Sequence, residues 1–411
     1  MPDSRIRCRP TWVSGLLASL ALVSCSGPQL LVLDRPVTET ETSRALTNST
    51  ALEDGTRATL RNEDLLDLYK KDPRQAIGEL AGRYKRQPTE PRRRALAEMC
   101  SDQADRLTAD EHDRAVGYYL DAAQLTEKAA LAAVGQEGES PDRTIYDYCA
   151  MRVTRLIHDY SKTTRTSVTA PGSLQKWQVS LATGKGKLDP RHYDVVVPAS
   201  WLKAKGIKWE HVKRAGFGAA MVAHLRTTPE RLEADPMMPP GGRGTPLNAS
   251  FRFSGSSATV ILQNLMDSSE ATIGRRNVPL AADYSAALAF IYYEENTRMN
   301  KMAALLRPGG SSDMIRMFSL EPYREGKTPL ILVHGLMSTA EGWMPFVNLL
   351  LADPVVREKY QILLFNYPTG FPISANAAEL RAALEEFQKT NDPQRRNPRM
   401  RNMVILGHSM G

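Results

Sequence analysis

Residues 403–411, which read MVILGHSMG, decide the fold class of the last part of the chain. The segment begins with an apolar run and passes directly into a Gly-x-Ser-x-Gly pentapeptide, which predicts a buried strand that ends in a tight turn carrying Ser409. Such a turn needs small residues two positions before and two positions after the serine, because its backbone is strained and closely packed. Gly407 and Gly411 occupy those two positions.

A second strand with a turn at its end lies upstream. Residues 329–335 read PLILVHG, an apolar run typical of a strand buried on both faces of a parallel sheet, followed by His334 and Gly335. Another strand is predicted for residues 360–365, with helices between the strands. This alternation predicts a parallel, doubly wound sheet, whose ligands bind at the carboxyl ends of the strands. His334, Gly335 and Ser409 fall at such ends.

With these motifs in place, residues 311–411 resemble the N-terminal half of an α/β-hydrolase, in the lipase and esterase branch whose nucleophile turn commonly reads Gly-His-Ser-Met-Gly. The resemblance implies that Ser409 is the nucleophile, which forms an acyl-enzyme from a carboxylic ester. It also implies that the backbone N–H groups of Leu336 and Met410 form the oxyanion hole. Four residues would support the two turns: His334, Gly335, Gly407 and Gly411.

The same resemblance places the catalytic acid and histidine after the nucleophile along the chain, and the sequence stops at Gly411. His408 is held within the strained turn and His334 lies in the oxyanion turn, so neither is predicted to be the general base. We therefore expect a C-terminally truncated sequence of a longer serine hydrolase, inactive as this fragment, with a decayed gene as the alternative. A rival from another class is a catalytically inactive lipoprotein scaffold that binds partners.

Residues 1–25 predict an export signal. Three arginines precede an apolar run of about a dozen residues, which is too short to span a membrane but typical of a secretory signal. Residues 22–25, LVSC, resemble the bacterial lipobox, which implies cleavage before Cys25 and lipidation of its sulfur. Ser26 follows, so a lipid anchor in the cell envelope is predicted, in the outer membrane of a Gram-negative bacterium, facing the periplasm or the exterior. An ordinary signal peptide that contains a cysteine is the alternative.

Three segments lie between the signal and the hydrolase-like region. Residues 26–55 have little apolar periodicity and are predicted to form a flexible tether. Residues 56–165 have apolar residues at spacings of three and four, which predicts an all-α domain and a candidate surface for a protein partner. Residues 175–310 contain short apolar runs between glycine and proline turns, which predicts a β-rich domain. The predicted fold class is therefore α/β: a partial doubly wound α/β-hydrolase sheet, preceded by an all-α domain and a β-rich domain.

Composition restricts the expected partners. The net charge of +7 includes short arginine clusters without zinc-ligand spacing or a recognition-helix pattern, so nucleic acid is not an expected partner. Apart from Cys25 and the cysteine of the signal, only Cys100 and Cys149 remain, so no metal cluster and no cofactor are expected. An oxidising compartment leaves two alternatives for this pair, a disulfide or two buried thiols. The expected partners are an acyl ester or lipid substrate and the membrane, through the N-terminal lipid.

Overall fold

The protein is a mixed α/β protein in the part of the chain that the structure describes, which confirms the predicted fold class at that level. The computed structural model describes residues 29–32, 52–107, 109–161, 167–205, 210–290 and 315–411. Cys25 and the rest of the predicted signal lie outside the described residues, so the lipid anchor stays a prediction. No helix within the described ranges has the length and apolar character needed to cross a bilayer.

The regular elements are numbered in chain order. The helices are α1 (Asp54–Asn62), α2 (Leu66–Lys71), α3 (Pro73–Arg86), α4 (Glu90–Asp105), α5 (His112–Ala132), α6 (Pro141–Ser161), α7 (Pro229–Ala234), α8 (Met344–Ala352), α9 (Pro354–Lys359), α10 (Ile373–Asn391) and α11 (Pro398–Arg401). The strands are β1 (Gln29–Val32), β2 (Ser167–Pro171), β3 (Lys176–Leu181), β4 (Val195–Pro198), β5 (Leu202–Lys205), β6 (Lys213–Arg214), β7 (Ala219–Leu225), β8 (Arg243–Ser254), β9 (Ser257–Asn264), β10 (Glu270–Ile273), β11 (Arg276–Pro279), β12 (Ala282–Asp283), β13 (Arg316–Ser319), β14 (Thr328–Val333), β15 (Tyr360–Asn366) and β16 (Val404–Gly407).

Helices α1 to α6 occupy the segment in which apolar spacing predicts helices. Leu60, Ala76 and Leu80, which contribute to that spacing, are fully buried. Helix α3 begins where the sequence provides a start signal: the side chain of Asp72 accepts a hydrogen bond from the backbone N–H of Gln75, and a proline occupies the first helical turn. Local sequence therefore accounts for the helices themselves.

Six strands of the next segment form one sheet in the order β2-β3-β9-β8-β7-β4. Neighbouring strands are antiparallel except β3 and β9, which are parallel. Alternate residues of β3 are buried, as expected for a sheet with one covered face. Trp177 and Val179 of β3 and Phe251 of β8 belong to the core that this sheet shares with the helices.

The helical and β-rich segments share a single hydrophobic core, which includes buried residues of both. A carboxylate of α5 fastens them together: Asp121 accepts hydrogen bonds from the backbone N–H groups of Ser173 (2.6 Å) and Leu174 (2.9 Å) and from the indole N–H of Trp177 (2.8 Å). The hydroxyl of Tyr146 on α6 accepts a hydrogen bond from a backbone N–H of β8 at 3.0 Å. The two segments therefore pack as one body.

The segment predicted as a tether, residues 26–55, contains regular structure. Strand β1 pairs antiparallel with β5, in a register that places Gln29 opposite Lys205 and Val32 opposite Leu202. Helix α1 begins at Asp54. A short strand can pair with a free strand edge through backbone hydrogen bonds alone. It needs no apolar periodicity, so β1 could not be predicted from the sequence pattern.

Residues 315–411 form a four-stranded sheet in the order β13-β15-β14-β16. Strand β14 is parallel to both β15 and β16, as the β-α-β-α-β alternation predicts. The sheet is mixed because β13 runs antiparallel to β15. The chain from β13 to β14 is too short to hold the crossover that a parallel arrangement requires.

Both faces of this sheet are covered at β14 and β15. On one face Leu332 and Leu364 pack against α8, and on the other Val333 and Phe365 belong to the cluster that includes Phe387 of α10. The side chains of β16 are exposed. The carboxyl ends of β14 and β16 lie side by side at one end of the sheet. The residues that the sequence patterns single out, among them Gly335 and Ser409, follow these two strand ends.

Candidate active site

Two turns that are distant in sequence meet at the carboxyl ends of β14 and β16. Val333, the last residue of β14, is in register with Gly407, and the N–H of His408 donates to the Val333 carbonyl oxygen at 3.0 Å. A Cβ atom added at Gly335 would lie 2.7 Å from the carbonyl oxygen of His408 and 2.8 Å from the Cβ of Ser409. The turn after β14 is therefore in direct contact with the turn that carries the serine.

Ser409 has a left-handed backbone conformation, with φ of 57°. This conformation is costly for a residue with a side chain, and it persists where surrounding structure imposes it, often at functional sites. The turn is closed by a hydrogen bond of 3.0 Å from the N–H of Gly411 to the carbonyl oxygen of His408. The strained turn that the pentapeptide predicts is thus present at the serine itself.

The two glycines of the pentapeptide stand where a side chain has no room. A Cβ atom at Gly407 would lie 2.2 Å from the carbonyl oxygen of Gly411, and one at Gly411 would lie 2.4 Å from that of Val333. Contacts this short do not occur between real Cβ atoms and backbone oxygens. Gly407 and Gly411 are required by close packing at the end of β16.

The N–H groups of Leu336 and Met410, which the family resemblance assigns to the oxyanion hole, are both free donors: neither makes a hydrogen bond within the described part of the chain. The Leu336 side chain is 57% exposed, so the turn that holds it is open to solvent. The next residue, Met337, also has a positive φ, 56°, and its N–H donates to the Thr369 hydroxyl at 3.4 Å. Free N–H groups beside a strained serine are what an oxyanion requires.

His334 is a buried structural group. Its Nε2 accepts a hydrogen bond from the backbone N–H of Tyr367 at 3.2 Å, and its Nδ1 lies 3.1 Å from the Gly335 carbonyl oxygen, to which it donates. The Tyr367 hydroxyl donates to the His334 carbonyl oxygen, and the two rings are stacked with centroids 4.3 Å apart. Burial lowers the pKa of His334, which keeps the ring neutral. With both nitrogens engaged, His334 positions its turn and has no nitrogen left to accept a proton from Ser409.

His408 lies beside the serine but is not engaged with it. Its ring meets the ring of Trp343 edge-on, with centroids 6.2 Å apart. Among the described residues the Ser409 hydroxyl makes no hydrogen bond to a histidine. Neither histidine of the two turns is therefore arranged as a general base.

The sequence patterns did not single out Tyr367 and Thr369, although both form hydrogen bonds with the turn after β14. They follow β15 directly, and β15 is parallel to β14 with Val333 opposite Phe365. A signal was available: polar and aromatic residues just after a buried parallel strand lie at the same edge as the other strand ends.

The described residues contain no group of three or more His, Cys, Asp or Glu side chains that could hold a metal ion. Comparisons of the chain with protein-family models, with curated proteins and with solved structures find no match. A function for this site is therefore inferred from its own residues and their geometry.

Proposed function

We propose that the protein is a serine hydrolase that cleaves carboxylic esters through an acyl-enzyme on Ser409, with a sheet of the α/β-hydrolase type. The observation that carries the proposal is the left-handed turn at Ser409, held against the turn of Gly335. The free N–H groups of Leu336 and Met410 lie on these two turns. A nucleophile beside two unpaired backbone donors is the arrangement that acyl transfer needs.

The chemistry follows from this geometry. The Ser409 hydroxyl oxygen attacks the acyl carbon and gives its proton to a base, while the carbonyl oxygen takes the negative charge and accepts hydrogen bonds from the Leu336 and Met410 N–H groups. The carbon–oxygen bond to the leaving alcohol then breaks, and the alcohol receives the proton. Water hydrolyses the acyl-serine to release the acid. The base is a group other than His334, whose ring nitrogens are both taken.

We also propose that the enzyme is anchored in the cell envelope by lipid on Cys25, with acyl esters or lipids as substrates. The support is the sequence of residues 22–25 after an apolar run. Mass spectrometry of the mature N-terminus decides this point: the expected first residue is a diacylated Cys25, and an unmodified Cys25 or a different first residue would contradict the anchor without bearing on Ser409.

The hydrolase proposal is tested with a fluorophosphonate probe on the protein expressed from its own gene in its native host. An activated serine attacks the phosphorus and an ordinary one does not, so labelling is expected on the peptide that contains Ser409. Ser409→Ala should abolish labelling. Ser338→Ala is the matched control, because Ser338 lies in the neighbouring turn, where its hydroxyl donates a long hydrogen bond of 3.4 Å to the Thr339 carbonyl oxygen.

Labelling that survives Ser409→Ala would place the nucleophile elsewhere and refute the proposal. Absence of labelling in a folded wild-type protein would instead favour the catalytically inactive lipoprotein scaffold. Circular dichroism of each variant distinguishes a folded, unreactive protein from an unfolded one.

A further inference from the structure

A cavity of about 450 Å³ lies between α6 and the strands of the body, away from the Ser409 turn. Its walls come from α6 on one side and from the segment before β5, β6, β7 and β12 on the other. Small side chains also line it, among them Ala199, Ala215 and Ala220. We call this cavity the α6 cleft. A volume of this size with mainly apolar walls and a few charged groups is typical of small-molecule sites.

Positive charge exceeds negative charge at the α6 cleft. Arg143, Lys213 and Arg214 line it, together with the carboxyl groups of Asp147 and Asp283. Arg214 donates to the carbonyl oxygens of Ser269 and Leu280, and within the described residues no carboxylate lies in ion-pair contact with it. Its charge is therefore not neutralised by the protein.

The two carboxyl groups do not balance this charge equally. Asp283 is engaged by His211 at 2.8 Å, by the N–H of Ala286 at 2.9 Å and by the ammonium group of Lys213 at 3.9 Å. Asp147 lies 3.7 Å from Arg143, and its Oδ1 is buried without a hydrogen-bond partner. Burial also raises the pKa of Asp147 well above its usual range, which favours the uncharged form. A buried polar atom without a partner calls for a ligand or solvent group to pair with it.

We propose that the α6 cleft binds an amphipathic anion, with its apolar part against the alanine side chains and its carboxylate or phosphate group against Arg214. Arg143 and Lys213 are ion-paired with Asp147 and Asp283, so Arg214 is the cation that selects the anion, and the small residues leave room for the apolar part. This site is separate from the Ser409 turn, because none of its lining residues belongs to residues 315–411.

We assign the membrane as the source of this anion, and this assignment rests on the proposed lipid anchor. Ala199 and Ser200 line the cleft, and the same segment continues into β5, which pairs with β1. Gln29, the first residue of β1, follows Cys25 by four residues, which span at most roughly 14 Å when extended. If Cys25 is lipidated as proposed, the cleft lies close to the bilayer surface.

The α6 cleft is tested by fluorescence titration with 11-(dansylamino)undecanoic acid and with its uncharged amide, in the intact chain carrying Ser409→Ala. That background makes the result independent of the proposed hydrolase. Saturable binding is expected, with the acid bound more tightly than the amide. Ser200→Phe and Thr144→Phe fill the cleft from opposite walls and should each weaken binding by at least about tenfold.

Ser256→Phe, in the exposed turn between β8 and β9, is the matched control and should bind as the parent does. Arg214→Gln should reduce the affinity for the acid to that for the amide. Parent-like affinity in both cleft-filling variants, with thermal unfolding unchanged, would overturn the site. Equal affinity for acid and amide in the parent would overturn the anionic ligand.

Cosedimentation with vesicles separates the sources of the anion. Binding of the Ser409→Ala chain to phosphatidylglycerol vesicles that is lost with Ser200→Phe and Thr144→Phe but kept with Ser256→Phe supports a membrane lipid as the ligand. Displacement of the probe by monomeric dodecyl phosphate without cosedimentation would overturn the membrane source, while the cleft itself would stand on the variants above.

Discussion

The two large sheets of this protein are buried in different ways. In the six-stranded sheet, alternate side chains of β3 are exposed while β7 is buried on both faces, and the helices of the same body pack on one face. In the four-stranded sheet, every residue of β15 after the first is buried, with helices on both faces. Side chains of the first sheet form part of the hydrophobic core shared with the helices. The strand ends of the second sheet instead position the turns of the candidate active site.

The difference has a physical origin in strand direction. Parallel strands β14, β15 and β16 end at one edge, so the residues that follow them collect there: the turns of Gly335, Tyr367 and Ser409. Antiparallel strands alternate their ends between the two edges, so sequence neighbours of those strands do not gather. The residues of the proposed hydrolase site thus collect at one sheet, while the helices and the other sheet form a shared core and line the α6 cleft.

Replacing Gly335 by alanine should produce the largest effect on the site. Its Cβ would collide with the His408 carbonyl oxygen and the Cβ of Ser409, and displacement of a nucleophile by about 1 Å can cost on the order of 10²-fold in rate. We expect the rate of fluorophosphonate labelling of the native gene product to fall by that order. Gly326→Ala is the control, because a Cβ atom added at Gly326 would meet no other atom within 4 Å. Equal loss in both variants would show that the contact between the turns is unimportant.

Replacing Asp121 by alanine should produce the largest effect on the body. Three donors would lose their acceptor: the buried indole N–H of Trp177 and the partly buried N–H groups of Ser173 and Leu174. Each unsatisfied donor costs about 1–3 kcal/mol, so the free energy of unfolding should fall by about 3 kcal/mol or more in urea titrations. Asp67→Ala, which removes a carboxylate that is 96% exposed, should change little. A small effect at Asp121 would mean that the helices and the sheet unfold as separate units.

The buried carboxyl group of Glu98 on α4 should make the free energy of unfolding of the helical and β-rich body depend on pH. Burial raises its pKa from 4.5 to about 7, although Thr56 and the N–H of Glu53 donate to its carboxylate. The folded state therefore binds this proton more tightly than the unfolded state. The associated stability is fully present below about pH 4.5 and is lost as the pH rises through about 7.

Glu98→Gln should remove that dependence, on the order of 1–3 kcal/mol between pH 4.5 and pH 8 in urea titrations. Glu79→Gln, on the exposed side of α3, is the matched control and should keep the wild-type profile. A wild-type profile in Glu98→Gln would assign the pH dependence to other groups.

The smallest expected effect concerns the two cysteines, for which sequence left a disulfide and free thiols as alternatives. Cys100 and Cys149 are both free and buried. We expect the melting temperature to be the same with and without dithiothreitol, and iodoacetamide to modify these thiols only after unfolding. A lower melting temperature in the reductant would show that the pair is oxidised in the native protein.

Part of the site could be predicted because its signals are local. The apolar run before Gly407 predicts a strand, and the pentapeptide predicts a strained turn, which the positive φ of Ser409 displays. The hydrogen bond from the Tyr367 N–H to Nε2 of His334 could not be predicted, because Tyr367 follows a different strand. Contacts between strands depend on sheet order, which periodicity does not encode.

The sequence by itself determined the kinds of elements and the residues that need special backbone, because side-chain spacing and glycine placement act within a few residues. Only the tertiary structure decided which of those elements pack against or pair with one another. It joined the helical and β-rich segments in one core through Asp121, paired β1 with β5, and opened the α6 cleft between helix and sheet. Each of these features rests on contacts between residues far apart in the chain. Their free energy comes from burial and hydrogen bonding that exist only once the chain has folded.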